Sequence, residues 1–291
     1  RREPLGPKTT FGVGGAADLW AEVGSEADLE TLLARAARLR IPVTPFGNGS
    51  NLLIPDTGLR GIALRLDSKA FGAVHAADGL LIAGAAASGS RLLDAAEAAG
   101  WRGLEWLEGI PGRVGGLVRM NAGAQGGAMA DRVAWVRAAG ADGVIRRFQR
   151  ADLLYSYRAC PTLANTVIVE AAFRLTPGST AASRADRSAF RAARAWMSGL
   201  RCAGSVFKNP PGHVAGRLIE EAGWKGAALG GARVSARHAN ILVAETGCRA
   251  SDLMALIDLI RESVARRTGL RLELELAIPA PPPEWLPDLA D

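Results

Sequence analysis

Gly109-Ile110-Pro111-Gly112-Arg113-Val114-Gly115-Gly116, followed closely by Met120-Asn121-Ala122-Gly123-Ala124-Gln125-Gly126-Gly127, is the stretch on which the reading of this chain turns. No ordinary core element places so many glycines together, because each one weakens a helix or strand and offers its neighbours nothing to pack against. Bare backbone of this kind suits close approach to something flat. A flavin nucleotide fits, since its ring and its diphosphate both need N–H donors at short range; a glycine-rich structural turn is the competing reading. A second loop, Gly47-Asn48-Gly49-Ser50-Asn51, then Leu52, lies between residues 43–46 and 52–54, which both read as strands. That order argues against a dinucleotide-binding Rossmann unit, whose glycine loop opens a helix. Consecutive N–H groups in such a turn still form an anion nest, to which Asn48, Ser50 and Asn51 add donors, with a plain tight turn as the alternative.

Outward from these loops, Ser25 caps a helix carrying Leu29, Leu32, Leu33, Ala36 and Leu39 on one stripe. Residues 62–66, 80–85, 133–138, 144–148 and 167–175 read as strands, interrupted by a helix over 90–99. A break at Pro177-Gly178-Ser179-Thr180 precedes a helix over 185–197 and marks a boundary. The C-terminal part reads as α+β. It has a short helix over 215–222, an amphipathic helix over 251–267 ending at Gly269, and a strand over 270–278. In that strand leucines alternate with Arg271, Glu273 and Glu275, which puts both carboxylates on one face. The last residues, with Pro281, Pro282, Pro283 and Pro287, read as an extended tail.

With 291 residues, 48% of them apolar, the chain can bury a core spread over two or three units. Cys160, Cys202 and Cys248 form no paired framework and no metal-type spacing, so a reducing compartment and no metal are expected. The longest nearly uncharged apolar stretch, residues 79–90, falls short of the roughly 20 residues that cross a bilayer. No signal-peptide pattern follows Arg1-Arg2-Glu3-Pro4, which leaves the cytoplasm as the expected location and excludes a membrane partner. The net charge of +6 favours anionic partners. Its arginines are spread over helices without a basic run or an aromatic ladder, so phosphorylated small molecules are expected rather than nucleic acid. A monomer is expected.

Taken together, Thr10-Phe11-Gly12-Val13-Gly14-Gly15, residues 47–52, residues 109–116, Met120-Asn121-Ala122-Gly123-Ala124, Tyr157-Arg158, Gly204-Ser205-Val206-Phe207-Lys208-Asn209-Pro210, His238-Ala239-Asn240 and Leu272-Glu273-Leu274-Glu275 resemble the UDP-N-acetylenolpyruvoylglucosamine reductase family from about residue 10 to 278. The order of the blocks makes the resemblance specific. It implies an α+β fold: a two-part FAD-binding domain of the vanillyl-alcohol-oxidase type (residues 1–67 and 68–178), then a smaller substrate domain (179–280) and a tail (281–291). The lack of an extra segment between Arg158 and Ser205 resembles the shorter family class, without a Tyr-bearing loop over the substrate.

The resemblance further implies non-covalent FAD, NADPH as hydride donor, and reduction of the enolpyruvyl ether of a UDP-sugar in peptidoglycan-precursor synthesis. Such an electron-rich double bond accepts hydride only if its carboxylate draws in the developing charge, a task that falls to Arg158, whose guanidinium stays charged and forks onto carboxylates. Ser205 is implied as proton donor to the carbon beside that carboxylate, with Lys208 near it, and Glu275 as the hydrogen-bonding acid. Period-two spacing does not separate Glu275 from Glu273. The cofactor residues implied are Gly47, Asn48, Gly49, Ser50, Asn51, Leu52, Gly109, Ile110, Pro111, Gly112, Gly115, Gly116, Asn121, Ala122, Gly123 and Ala124. Lys208, Asn209, Arg217 and His238 are implied for the UDP-sugar. Several positions depart from the family pattern: Arg113 stands where a small residue is usual, so its side chain either turns away or contacts phosphate, and Thr9 replaces an Asn. An FAD oxidase of the same fold and a non-catalytic nucleotide-sugar-binding protein are the rival functions.

Overall fold

The computed structural model describes residues 2–279; the tail expected at 281–291 lies outside the described residues. The chain forms two compact units, each drawn from separated stretches. Residues 2–20, 49–63 and 199–279 make the first, and residues 21–48 and 64–198 the second. The strands Ala16–Val23 and Leu59–Leu66 each begin in the first and end in the second.

The second unit is built on a five-stranded antiparallel sheet in the order Ile145–Gln149, Val133–Ala139, Val167–Phe173, Leu80–Gly84, Val74–Ala77. Val167–Phe173 is buried at all but one position, so both faces of the central strand are covered, and its near-continuous apolar sequence follows from that. Helices Glu26–Arg38 and Gly89–Ala98 start at serines whose hydroxyls accept N–H bonds inside the first turn, from Asp28 and Arg91, each at 3.1 Å. Leu39 ends the first helix as its C-cap and is 58% exposed, so the apolar stripe stops one turn short of it. The helix expected over 185–197 starts earlier, at Thr180, and runs to Arg194 behind an N-cap at Ser179.

The first unit buries the two ends of the chain together. Phe11, Val13 and Leu53 sit in one cluster with Val206, Phe207, Ile219, Leu256, Ile260 and Leu272. Around it stand helices Ala215–Glu221 and Ala250–Thr268 and a small antiparallel sheet of Ala228–Leu229, Ala232–Val234 and Leu242–Ala244. The long helix stops at Gly269, whose φ of 72° is the left-handed cap expected of glycine.

Two expected strands are not strands. Residues 52–54 contribute only an isolated parallel bridge, Leu52 to Ala277, and residues 270–278 only that bridge and an antiparallel one, Leu274 to Phe207. Each flanking segment meets residues 270–278 over a single residue pair, so no ladder forms although the alternation of burial persists.

Candidate functional site

In the first unit the segments bearing Ser205 and Glu275 are joined through the backbone. Glu275 N–H donates to the Val206 carbonyl at 2.8 Å, and Lys208 N–H to the Glu273 carbonyl at 2.9 Å. The Ser205 hydroxyl is half-buried and makes no hydrogen bond among the described residues. A turn or capping serine would have its oxygen engaged. The two glutamates that alternation left equivalent differ in exposure. Glu273 is 77% exposed and pairs with Lys208 at 3.4 Å, whereas Glu275 is only half exposed.

The segment bearing Ser205 is clamped by Asn240. This residue is 3% exposed, accepts from Phe207 N–H at 2.9 Å, donates to the Phe207 carbonyl at 2.8 Å, and through its own carbonyl accepts from Val206 N–H at 2.9 Å. A carboxamide carries a donor and an acceptor, as a peptide does, so Asn240 completes a one-residue sheet edge inside the core. Asn51 does the same for Glu275: its side-chain amide donates to the Glu275 carbonyl at 3.0 Å and its own carbonyl accepts from Ala277 N–H at 3.0 Å. Expected as a phosphate donor, Asn51 has this amide engaged with the protein. Asn209 also has structural work, its oxygen accepting from Ala215 N–H at 2.9 Å at the start of helix Ala215–Glu221. His238 is exposed with Nδ1 occupied by Asn240 N–H at 3.2 Å, and Arg217 is an exposed residue of helix Ala215–Glu221 with no ion pair among the described residues. Gly49, with φ of 61°, lies against the Lys8 carbonyl so closely that any side chain would collide with it. Ser50 and Leu52 follow it, both half-buried.

The second unit carries Gly47 and exposed Asn48, residues 109–116, residues 121–124, and Arg158. Much of its glycine content serves packing. A carbon on Gly112 would lie 2.9 Å from the Leu117 side chain, on Gly115 3.1 Å from Ala85, on Gly123 2.6 Å from the Gly127 carbonyl, and on Gly109 3.2 Å from Arg194. The amides of Ile110, Val114 and Gly115 donate to Leu107, Ala87 and Ala85, and Pro111 is exposed. Of the glycines expected to hold the cofactor in this unit, two remain open. A side-chain carbon at Gly116 meets nothing within 4 Å, and at Gly47 only the Arg113 Cβ, at 4.0 Å.

Asn121, buried with φ of 42°, accepts from Ala130 N–H at 3.0 Å and donates to the Ser156 carbonyl at 2.9 Å. Its oxygen thus holds the turn Met129–Asp131, and its amide N–H ties the Asn-Ala-Gly-Ala loop to the turn closed by the Ser156–Ala159 bridge. That turn presents Arg158, whose backbone is left-handed at φ 59° and whose guanidinium lies over Tyr157 at 5.0 Å. Strain of this kind in a residue with a Cβ concentrates at working sites.

Arg113 is the least satisfied cation of this unit. Its Nη1 donates to the Ala86 carbonyl, and its buried Nε has no partner among the described residues. Burial pushes its pKa down, and the charge of Arg65 pushes the same way against a smaller pull from Glu22. A donor set of open glycine backbone and an unneutralised guanidinium suits an anionic nucleotide. No group of three or more metal-type ligands occurs among the described residues, nor any helix long and apolar enough to cross a membrane.

Residues 17–149 match the model for an FAD binding domain, and residues 196–279 the model for the C-terminal domain of UDP-N-acetylenolpyruvoylglucosamine reductase. Across 282 residues the chain is 42% identical to the UDP-N-acetylenolpyruvoylglucosamine reductase of Heliobacterium modesticaldum, covering 96% of this chain and 90% of that one. The chain belongs to the UDP-N-acetylenolpyruvoylglucosamine reductase family. Another reductase of this name, from Acidiphilium cryptum, is 39% identical over 94% of this chain and 88% of its own. The crystal structure of UDP-N-acetylenolpyruvylglucosamine reductase from Thermus caldophilus superposes with a TM-score of 0.83 at 34% identity, over 96% of this chain and 98% of that one. The expected α+β class with an FAD-binding part and a C-terminal family domain therefore holds.

Proposed function

We propose that this chain catalyses the NADPH-dependent reduction of the enolpyruvyl ether of UDP-N-acetylglucosamine enolpyruvate to UDP-N-acetylmuramate, with FAD as its cofactor, in peptidoglycan-precursor synthesis. The observation that carries the proposal is family likeness over nearly the whole chain combined with a Ser205 hydroxyl that makes no hydrogen bond among the described residues, on a segment bonded to the one bearing Glu275. Bound FAD supplies the two-electron relay between NADPH and the substrate double bond. Around that relay the chain's residues have three tasks. Arg158 offers a permanent positive charge to the substrate carboxylate, so that negative charge arriving with hydride at the methylene carbon spreads onto the carboxylate oxygens. Ser205 Oγ then gives its proton to the carbon beside the carboxylate, and Lys208, whose ion pair with Glu273 is long and exposed, stabilises the oxygen left behind. Glu275 completes the set by hydrogen bonding to the carboxyl of the developing enolate acid.

For the UDP portion the reading assigns Lys208, Arg217 and the remaining donors of Asn209 and His238. It also makes the chain a cytoplasmic monomer acting on free nucleotides rather than on nucleic acid. The test is anaerobic. NADPH added to the yellow protein should bleach the flavin absorbance, and the enolpyruvyl UDP-sugar should restore it with one UDP-N-acetylmuramate formed per flavin. A purified chain that carries no flavin and takes none up, or reduced flavin that the UDP-sugar leaves bleached, overturns the reading.

A further inference from the structure

We propose that Arg113, together with Arg65, forms a cationic clamp for the diphosphate of the FAD. The inference rests on the FAD-dependent reading and concerns this chain's own residues.

Arg113 is the N-cap of helix Val114–Arg119, but its side chain does not cap that helix. It turns away, giving one N–H to the Ala86 carbonyl and leaving the buried Nε with nothing. A half-buried guanidinium ordinarily meets a carboxylate, because desolvating a charge without a partner costs several kcal/mol. The charges that act on it are those of Arg65, which follows the Leu64 carbonyl that accepts the Phe46 N–H at 2.7 Å beside Gly47, and of Glu22, on strand Ala16–Val23. Neither Arg113 nor Arg65 makes an ion pair among the described residues, and exposed Glu22 pairs with neither. Two like charges opposed only by exposed Glu22, which pairs with neither, call for an anion. A carbon built on Gly47 would meet only the Arg113 Cβ, at 4.0 Å, and one on Gly116 would meet nothing within 4 Å, so bare backbone lies open beside Arg113. A diphosphate matches this set. It accepts forked N–H donors from guanidinium and single donors from bare backbone amides. All of these residues fall inside the stretch matched by the FAD-binding model. NADPH and the UDP-sugar carry diphosphates as well, so the experiment must tell the three apart.

The experiment compares wild type, Arg113→Ser and Arg65→Gln as full-length chains, stripped of flavin and then titrated with FAD, ADP and riboflavin. The flavin-loaded proteins are titrated with UDP and with NADP+. In Arg113→Ser the Kd for FAD and for ADP should rise tenfold or more, as expected for the loss of charge-assisted bonds, and the salt dependence of binding should flatten. Riboflavin, UDP and NADP+ should bind as to wild type, and Arg65→Gln should show a smaller rise for the same two ligands. The flavin-free Arg113→Ser chain should melt no lower than wild type, because the substitution removes an uncompensated buried charge. Equal FAD affinity in wild type and Arg113→Ser overturns the clamp while leaving the reductase reading intact. So does a fall in melting temperature of the flavin-free variant, which would make Arg113 a strut for the Ala86 loop. A loss confined to UDP or NADP+ overturns it too, by placing the anion on another ligand. Wild type that takes up no FAD ends the reading and the clamp together.

Discussion

At the scale of single residues, the Ser205 hydroxyl without a partner and the left-handed backbone of Arg158 make opposite demands on stability and activity. Ser205→Ala should leave reduction of the flavin by NADPH within about twofold of wild type and slow its re-oxidation by the enolpyruvyl sugar by about a hundredfold or more, since only the second half needs the proton. Stopped-flow absorbance of the two halves reads the difference, and equal losses in both would refute the assignment. Arg158→Gly should keep or raise the melting temperature, because glycine removes a left-handed cost of about 1 kcal/mol, while abolishing turnover of the enolpyruvyl sugar. A variant that melts lower and still turns over would sink that view. Part of this was legible beforehand. Family resemblance pointed to Ser205, Arg158 and Glu275, whereas alternation alone left Glu273 and Glu275 level; their unequal exposure depends on the packing around them, which leaves no trace in period-two spacing. Asn240 stood in a recognised block without a role. Its work depends on Phe207 lying across from it, which the fold supplies and local sequence does not. Arg65 carried no signal at all.

At the scale of elements, helix Thr180–Arg194 shows why periodicity misplaced its start. Ser183 is its one buried residue, so it has no apolar stripe to betray the first turn. Ion pairs hold it instead. Arg187 meets Glu108, Asp94 and Glu97 at 2.7–2.9 Å, Arg191 meets Glu108 at 2.9 Å, and Ser183 donates to Glu105 at 3.1 Å. Burial raises the pKa of Glu108, but bonds from Arg187 and Arg191 outweigh it and leave the group below the usual carboxylate value. Glu105 follows the same course, its burial outweighed by backbone bonds and by Arg102 and Ser183. Depressed values in the folded state mean stability that is fully present above the unfolded carboxylate pKa, about 4.3, and lost as pH falls below it through the folded values. Hydrogen exchange of residues 180–194 should therefore accelerate below about pH 4.3 ahead of the central sheet. In Glu108→Gln that acid step should shrink, with about 2–3 kcal/mol of stability lost at neutral pH. Acid exchange that is uniform over the unit would contradict the ion-pair account. The hydrophobic elements, by contrast, were readable to within a few residues, because capping serines and buried alternation are local signals.

At the scale of the whole molecule, no local pattern announced that residues 2–20 and 49–63 belong with residues 199–279, since a discontinuous unit is defined by contacts between distant stretches. Phe11 shows what that membership is worth. It is fully buried in the cluster with Val206, Phe207 and Leu256, so Phe11→Ala should cost about 3–5 kcal/mol in denaturant-induced unfolding, as much as a truncation inside the C-terminal helix. A loss below about 1 kcal/mol would mean that the first twenty residues are an appendage. The arrangement also orders events at the ribosome. The segment bearing Phe11 and Val13 is made before residues 203–276 and must wait, without a destination, until the residues that bury it have been translated. Residues 64–198 meanwhile have every internal partner already translated, so the nascent chain should acquire a folded middle while its beginning still lacks an end to close upon.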